Sequence, residues 1–213
     1  MIPKLIHHIW IGNNNLPEEF KKFLSGWKEV YYDFEFIFWD NKKIDLELIV
    51  DDTISKYYYG NYKLAFKCDL LRFKILEKYG GIYIDVDTEC LRKMPEHFFD
   101  YNFFSGYQPN NEIAIGIMGS SKNEKLVKQF NNDVLENINK NYNTNFDNLL
   151  HEVSGPAFFT KIAKQYESDS NYKFFEPNYF YPYGWWEMQR RNENFKVTCP
   201  DAYSVHHWAH SWW

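Results

Sequence analysis

The chain is poor in cysteine: Cys68, Cys90 and Cys199 are the three in 213 residues, widely spaced and with no C-x-x-C pair. That count excludes a disulfide scaffold, and the spacing excludes a paired-ligand zinc knuckle or a dithiol redox site, so a reducing compartment is expected. Long apolar runs are also missing. No stretch approaches the roughly 18 residues of a membrane span. The opening Met1-Ile2-Pro3-Lys4-Leu5-Ile6-His7-His8 has neither the basic segment nor the apolar core of a signal peptide, and a soluble protein is expected. Internal repeats and Gly/Ser-rich or Pro-rich linkers are lacking, which predicts one domain over residues 1–213. Positive charge is in deficit. With 24 Lys and Arg against 29 Asp and Glu the net charge is −5, which excludes a general nucleic-acid-gripping role.

Aromatic residues are in excess, with 8 Trp, 17 Tyr and 19 Phe making up 21% of the chain. Tyr and Trp offer a flat apolar face with a polar edge, a surface suited to flat or hydroxylated ligands. Lys4 to Trp10, β-branched and aromatic, reads as a strand bounded by Gly12 and Asn13. Pro17-Glu18-Glu19 opens a helix with proline at its first position, running to about Tyr31. Phe34 to Trp39 is a second strand, and Ile44 to Tyr58 one or two short helices. Tyr62 to Tyr79 carries apolar residues at Leu64, Cys68, Leu71 and Ile75, the spacing of a buried helix. Gly80-Gly81 stops it and Ile82 to Val86 follows as a strand. Phe103 to Tyr107, Ile113 to Met118 and Ala202 to His207 read as strands, Glu124 to Asn139 and Ala157 to Tyr166 as helices. This alternation predicts an α/β fold with a mainly parallel sheet, binding ligands at the C-terminal ends of its strands.

The most informative stretch is Asp69-Leu70-Leu71-Arg72 followed by Gly80-Gly81-Ile82-Tyr83-Ile84-Asp85-Val86-Asp87. Three apart on a helix, Asp69 and Arg72 share a face among apolar residues, which suits a structural ion pair as well as a site. Tyr83, Asp85 and Asp87 fall at i, i+2 and i+4, on one side of an extended segment. Two carboxylates so close repel unless a cation lies between them, and oxygen donors favour a hard divalent ion, Mn2+ or Mg2+. Such an ion bridges a diphosphate and stabilises the charge that grows on it as a bond to a sugar breaks.

The whole pattern, D-x-x-R, then G-G, then an apolar-Tyr-apolar-Asp-x-Asp run, resembles the signature of the D-x-D glycosyltransferases of family 32. That family includes yeast-type mannosyltransferases, capsular polysaccharide glycosyltransferases and, more distantly, the large glucosylating toxins. Ile2 to Gly12 is similar to the family's opening strand, Phe38-Trp39-Asp40 to its second strand end, Ser154-Gly155-Pro156 to its mid-chain turn, and His206-His207-Trp208 through Ser211-Trp212 to its closing block. The resemblance implies a GT-A fold, Rossmann-like with a mixed, mainly parallel sheet flanked by helices. It further implies a metal-dependent, retaining transfer of a sugar from a nucleotide-sugar donor, UDP preferred. In its terms Ile9 and Trp10 bind the donor, with Trp10 stacking on the nucleobase. Asp69 holds hydroxyls, Arg72 meets donor oxygens and Tyr83 borders the donor. Asp85 contacts ribose or sugar and reaches the metal through water, while Asp87 is the direct ligand. Asp85, Asp87 and Arg72 form the catalytic set.

From the closing block, His206, His207 and His210 with Ser211 are candidates to complete the metal shell, His207 and Ser211 being preferred. Packing among the tryptophans is the competing role for these histidines. Trp208, Trp212 and Trp213 are expected to close over the donor. Tyr183, Trp185 and Trp186 are the candidate platform for a glycan or lipid-linked glycan acceptor, since sugar C–H faces stack on aromatic rings. The expected setting is surface polysaccharide (capsule) synthesis, in the cytoplasm or at the inner face of a membrane. Among rival readings, a D-x-D-x-T phosphotransferase is disfavoured because Glu89 stands where the Thr belongs. A non-catalytic nucleotide-sugar binding module remains the alternative.

Overall fold

The computed structural model describes residues 1–49, 52–141 and 149–209. Its elements in order are β1 (Leu5–Ile9), α1 (Glu18–Val30), β2 (Glu35–Trp39), α2 (Asn41–Glu47), α3 (Asp52–Tyr59), α4 (Leu64–Tyr79), β3 (Gly81–Ile84) and β4 (Thr88–Cys90). They continue with β5 (Phe103–Tyr107), β6 (Ile113–Ser120), α5 (Lys125–Asn141), α6 (Leu150–Val153), α7 (Pro156–Ala163), β7 (Tyr172–Phe175), α8 (Pro177–Phe180), α9 (Phe195–Thr198) and β8 (Ser204–His206). Six strands form one sheet in the order β2-β1-β3-β6-β5-β7, and β4 pairs with β8 in a second, two-stranded sheet. The pairings β1–β2, β1–β3 and β5–β7 are parallel, and β3–β6 and β5–β6 antiparallel. The sheet is thus mixed and mainly parallel, with helices around it, as expected.

Alternation along the strands divides the core in two. Tyr83, Phe103 and Ile115 face one side, where α4, α5 and α7 pack through Phe73, Phe130 and Phe159. Ile82, Ile84 and Phe104 face the other, against Trp27 and Tyr31 of the α1 segment. Period-two alternation in strands makes both faces apolar without any long hydrophobic run. Helix α4 lies so deep that Asp69 and Arg72 are buried along with its apolar residues. Gly80 and Gly81 carry φ of +67° and +96°. A Cβ on Gly81 would meet the Leu5 carbonyl at 2.7 Å, so the direct passage from α4 into β3 needs glycine in conformation and in space.

Several expectations need correction. Pro17 precedes α1 as its N-cap and does not occupy the first helical position. Strand β3 stops at Ile84, because the chain turns at Val86-Asp87 and Thr88 N donates to Asp85 O at 3.1 Å. Strands β4 and β7 were not anticipated, being three and four residues long, too short for a periodic signal.

Candidate functional site

Where β3 ends, Asp85 is still tied to the sheet, its N–H donating to Gly116 O of β6 at 2.8 Å. Two residues back on the same face, the buried Tyr83 hydroxyl donates to Asp85 Oδ1 at 2.6 Å. The turn then swings Asp87 round, and the carboxylates converge through that turn, not along one extended strand. Pairing of β4 with β8 places Thr88 opposite His206. His206 Nε2 lies 3.3 Å from Asp87 Oδ1 and 3.5 Å from Asp85 Oδ2. Asp87 Oδ2 accepts from the Ala209 N–H at 2.9 Å. One ligand atom from each of Asp85, Asp87 and His206 falls within 4.8 Å of the others, the one such metal-ready triad among the described residues.

Electrostatics follow from this geometry. Burial opposes a charge on His206, but the Asp87 and Asp85 carboxylates outweigh it and push its pKa up to about 10. Burial likewise opposes ionisation of Asp87, yet the His206 charge and the hydrogen bonds it receives hold its carboxyl well below the usual range. A cation therefore already sits where the acidic pair demands one. A divalent ion bound among these three groups would take the place of the His206 proton, leaving two carboxylates and a neutral imidazole as its donors.

Arg72 anchors the other side. Its Nε donates to Cys68 O at 3.2 Å and its Nη1 to Ile115 O at 2.9 Å, while Asp69 Oδ1 and Asp85 Oδ2 lie 3.2 and 3.5 Å from the fork. The guanidinium sits over the Tyr83 ring, 4.9 Å from its centroid. Burial alone would weaken the Arg72 charge, but Asp85 and Asp69 make its proton harder still to remove. Asp69, which accepts from the Ser154 hydroxyl at 2.9 Å, is pushed up to about 7, burial outweighing its attraction to Arg72.

Asp69, Arg72, Asp85 and His206 line one cavity of about 170 Å³. Its other walls come from the β5–β6 hairpin (Gln108, Ile115, Gly116), from the α6–α7 turn (His151, Gly155) and from Tyr181 and Trp208. Gly116 is there for space: a Cβ would lie 2.8 Å from Asp85 Oδ2 and 3.3 Å from the Tyr181 hydroxyl. Trp208, at φ +50°, donates from Nε1 to Tyr183 O and sets its ring edge-on to His206, centroids 4.4 Å apart.

The structure thus brings together Asp69, Arg72, Tyr83, Asp85 and Asp87, and corrects others. His207 is not at the carboxylates. It is adjacent to His206 and so faces the other way, stacking on Phe23 at 4.8 Å with Nε2 3.1 Å from Glu89. Ile9 is buried in the core, outside the cavity wall. Trp10 is half-buried at the end of β1, donating from Nε1 to Asn14 O and meeting Phe20 edge-on, outside the cavity wall. Tyr183 is fully buried, stacked on Phe195, and cannot serve as a platform, whereas Trp185 and Trp186 are exposed and in edge contact. Ser211, His210, Trp212 and Trp213 lie outside the described residues. Sequence reasoning missed Gly116 and Gln108, while Tyr181, within the aromatic segment 179–186 read as an acceptor platform, lines the cavity instead. A glycine inside the apolar run Ile113-Ala114-Ile115-Gly116-Ile117 was the signal available for the first.

Among the described residues, no helix is long and apolar enough to cross a membrane. Residues 17–104 match the family described as the glycosyltransferase sugar-binding region containing a DXD motif. The chain is 27% identical, over all of its length and 84% of the relative's, to an uncharacterized glycosyltransferase of Acanthamoeba polyphaga mimivirus. It is also 27% identical, over 80% of its length, to a mannosyl phosphorylinositol ceramide synthase of Saccharomyces cerevisiae, but spans only 45% of that protein. Among solved structures, the PaToxG glycosyltransferase aligns with a TM-score of 0.61 at 20% identity, covering 78% of this chain and 70% of that one. The UDP-bound glycosyltransferase domain from the YGT toxin aligns at 0.56 and 10% identity, covering 81% and 79%. The matched stretch contains Asp85-Val86-Asp87, which supplies its D-x-D run, and the solved glycosyltransferase domains share the fold.

Proposed function

We propose that the protein is a metal-dependent, retaining glycosyltransferase that moves a sugar from a nucleotide sugar, UDP-linked by preference, onto a hydroxyl of a glycan or lipid-linked glycan. The observation that carries the reading is the triad Asp85, Asp87 and His206, two of whose members, Asp85 and His206, line a small cavity together with Asp69 and Arg72. At about 170 Å³ that cavity is smaller than the ~300–1,000 Å³ of whole-ligand pockets, and so suits one sugar with the rest of the donor outside.

Asp87, Asp85 and His206 would hold the ion, Mn2+ ahead of Mg2+ because an imidazole joins the oxygens. When bound, a divalent ion supplies positive charge to a diphosphate leaving group. Arg72 has its side chain fixed by two backbone carbonyls and keeps its charge directed at the same developing negative charge without reorganising. Asp69 accepts hydrogen bonds from sugar hydroxyls, and Trp10 lies beside the strand end where a nucleobase would stack. Both carboxylates of the cavity wall, Asp69 and Asp85, lie against Arg72, whose charge lowers the basicity of each toward an acceptor. That favours same-face transfer with the leaving phosphate taking the acceptor proton. Exposed Trp185 and Trp186 suit an acceptor, and the ceramide in the name of the yeast relative favours a lipid-linked one. The reading places the enzyme in surface polysaccharide synthesis, as one domain working in the cytoplasm or at the inner membrane face.

Hydrolysis of UDP-glucose, UDP-galactose, UDP-N-acetylglucosamine and GDP-mannose, each with Mn2+, Mg2+ or chelator, tests it. The expected result is release of one sugar, metal-dependent and with its anomeric configuration kept in the first-formed product. Metal-dependent binding without turnover of any donor, even with sugar acceptors added, would instead make the protein a binding module.

A further inference from the structure

From the position of one side chain we infer that Gln108 selects the transferred sugar, its amide pairing with hydroxyls of a hexose seated between it and Asp69; this rests on the donor reading above. Gln108 follows β5 and lines the cavity opposite no charge of its own hairpin. Only 6% of the residue is exposed. Among the described residues its side-chain amide makes no hydrogen bond, and neither its nitrogen nor its oxygen is among the sealed-off unpaired atoms, so the amide opens onto the cavity. An amide left unpaired in the wall of a polar cavity is held ready for a ligand that both donates and accepts, which a sugar hydroxyl does.

The hairpin does not need that amide. Its turn is closed by the Gln108 backbone, whose N–H donates to Glu112 O at 2.7 Å and whose carbonyl accepts from Asn111 N at 2.9 Å. Asn110 pairs with Glu112, and Glu112 lies 2.9 Å from His151 Nε2, which fastens the hairpin to α6. With its backbone fixed twice and its side chain bonded to nothing else, Gln108 presents its amide to the cavity from a set position on the hairpin. Asp69 brings only acceptors and Arg72 only donors, both shared with each other. Gln108 adds one donor group and one acceptor on the same side chain, a combination that responds to the placement of a single sugar hydroxyl. Sites built to hydrogen-bond a hydroxyl reject analogues that lack it strongly, because the protein group is then left buried and unpaired.

The test is donor hydrolysis by the wild type, Gln108→Leu and Gln108→Glu with UDP-glucose, UDP-galactose and GDP-mannose, and with the 2-, 3-, 4- and 6-deoxy analogues of the best of them. Affinity for the free nucleoside diphosphate and melting temperature are followed in parallel. In the wild type, kcat/KM should fall at least 10-fold for one deoxy analogue. Gln108→Leu should lose at least 10-fold on the parent donor yet treat that analogue as the wild type does, with nucleoside diphosphate affinity unchanged within 2-fold. Gln108→Glu, which keeps the shape and loses the donor, should shift the preference among the three donors. Undiminished discrimination by Gln108→Leu against every deoxy analogue overturns the inference alone, as does an equal loss of nucleoside diphosphate affinity, which marks a structural role. A wild type that neither binds nor hydrolyses any nucleotide sugar removes the donor reading, and the inference with it.

Discussion

Replacing Gly116 with alanine separates site geometry from fold stability. The added methyl would lie 2.8 Å from Asp85 Oδ2, 3.3 Å from the Tyr181 hydroxyl and 3.4 Å from His206 Cδ2. Restoring ordinary contact requires the carboxylate to retreat by about 0.6 Å. Asp85 has little freedom to do so, since Tyr83 grips its other oxygen at 2.6 Å and Arg72 and His206 flank the one that must move. Displacement of a catalytic group by about 1 Å can cost ~10²-fold, so a loss of roughly 10- to 100-fold in metal-dependent donor hydrolysis is expected. Stability should fall only modestly, because the overpacking cost of about 1–3 kcal/mol is partly offset by the ~0.4–1 kcal/mol that alanine gains from the unfolded chain at a position without left-handed φ. The assay is kcat/KM across a Mn2+ titration, with the melting temperature of the same preparation. Wild-type turnover with an unchanged Mn2+ requirement would refute the reasoning. So would a collapse in melting temperature that accounts for the lost activity.

Asp87→Asn keeps the size of a buried side chain and removes its charge, so turnover should fall by ~10²-fold or more and lose its metal dependence; a variant with normal, metal-dependent rates would remove Asp87 from the ligand set. Trp10→Ala should weaken UDP binding by roughly 5- to 150-fold, the value of about 1–3 kcal/mol for a stacked base, as measured by calorimetry; equal affinity would make Trp10 a packing residue. Burial lowers His7 and His8 to about 4, so each favours the fold fully above the unfolded value of 6.5 and loses that contribution as pH falls through 4. Asp69, raised to about 7, acts in the opposite direction over the same window. The two rings together should prevail by on the order of 3 kcal/mol, read as a falling urea midpoint from pH 6.5 to 4, and a flat midpoint would contradict it.

Much of this architecture is written locally. The D-x-x-R pair, the two glycines and the D-x-D run lie within one α4–β3–turn unit, so their spacing brings Asp69, Arg72 and Asp85 to one wall with Tyr83 bonded to Asp85 behind it. What escaped the sequence depends on phase or on distant partners. Whether His206 or His207 meets the acids is settled by the register of a three-residue strand against β4, and one residue's slip exchanges them. Tyr183 differs from Trp185 only in having Phe195 and Val205 to pack against, a tertiary fact with no local trace. Gln108 carries no motif at all, and its isolation from partners is visible only once α4, α6 and the hairpin are in place.

The separate pairing of β8 has a consequence for the newly made chain. The last strand of the six-stranded sheet, β7, ends at Phe175, and His206 is synthesised 31 residues later. At about 5–20 residues per second that is a delay of roughly 2–6 s on the ribosome. During it the large sheet can assemble around α4 and set Asp85 and Asp87 side by side with no imidazole between them. Arg72 is then the sole cation of the described site holding those acids in check, and a free divalent ion has its least contested access to them. Arrival of β8 closes that interval, so β8 determines when the acidic pair stops being a bare cation trap and becomes a balanced centre.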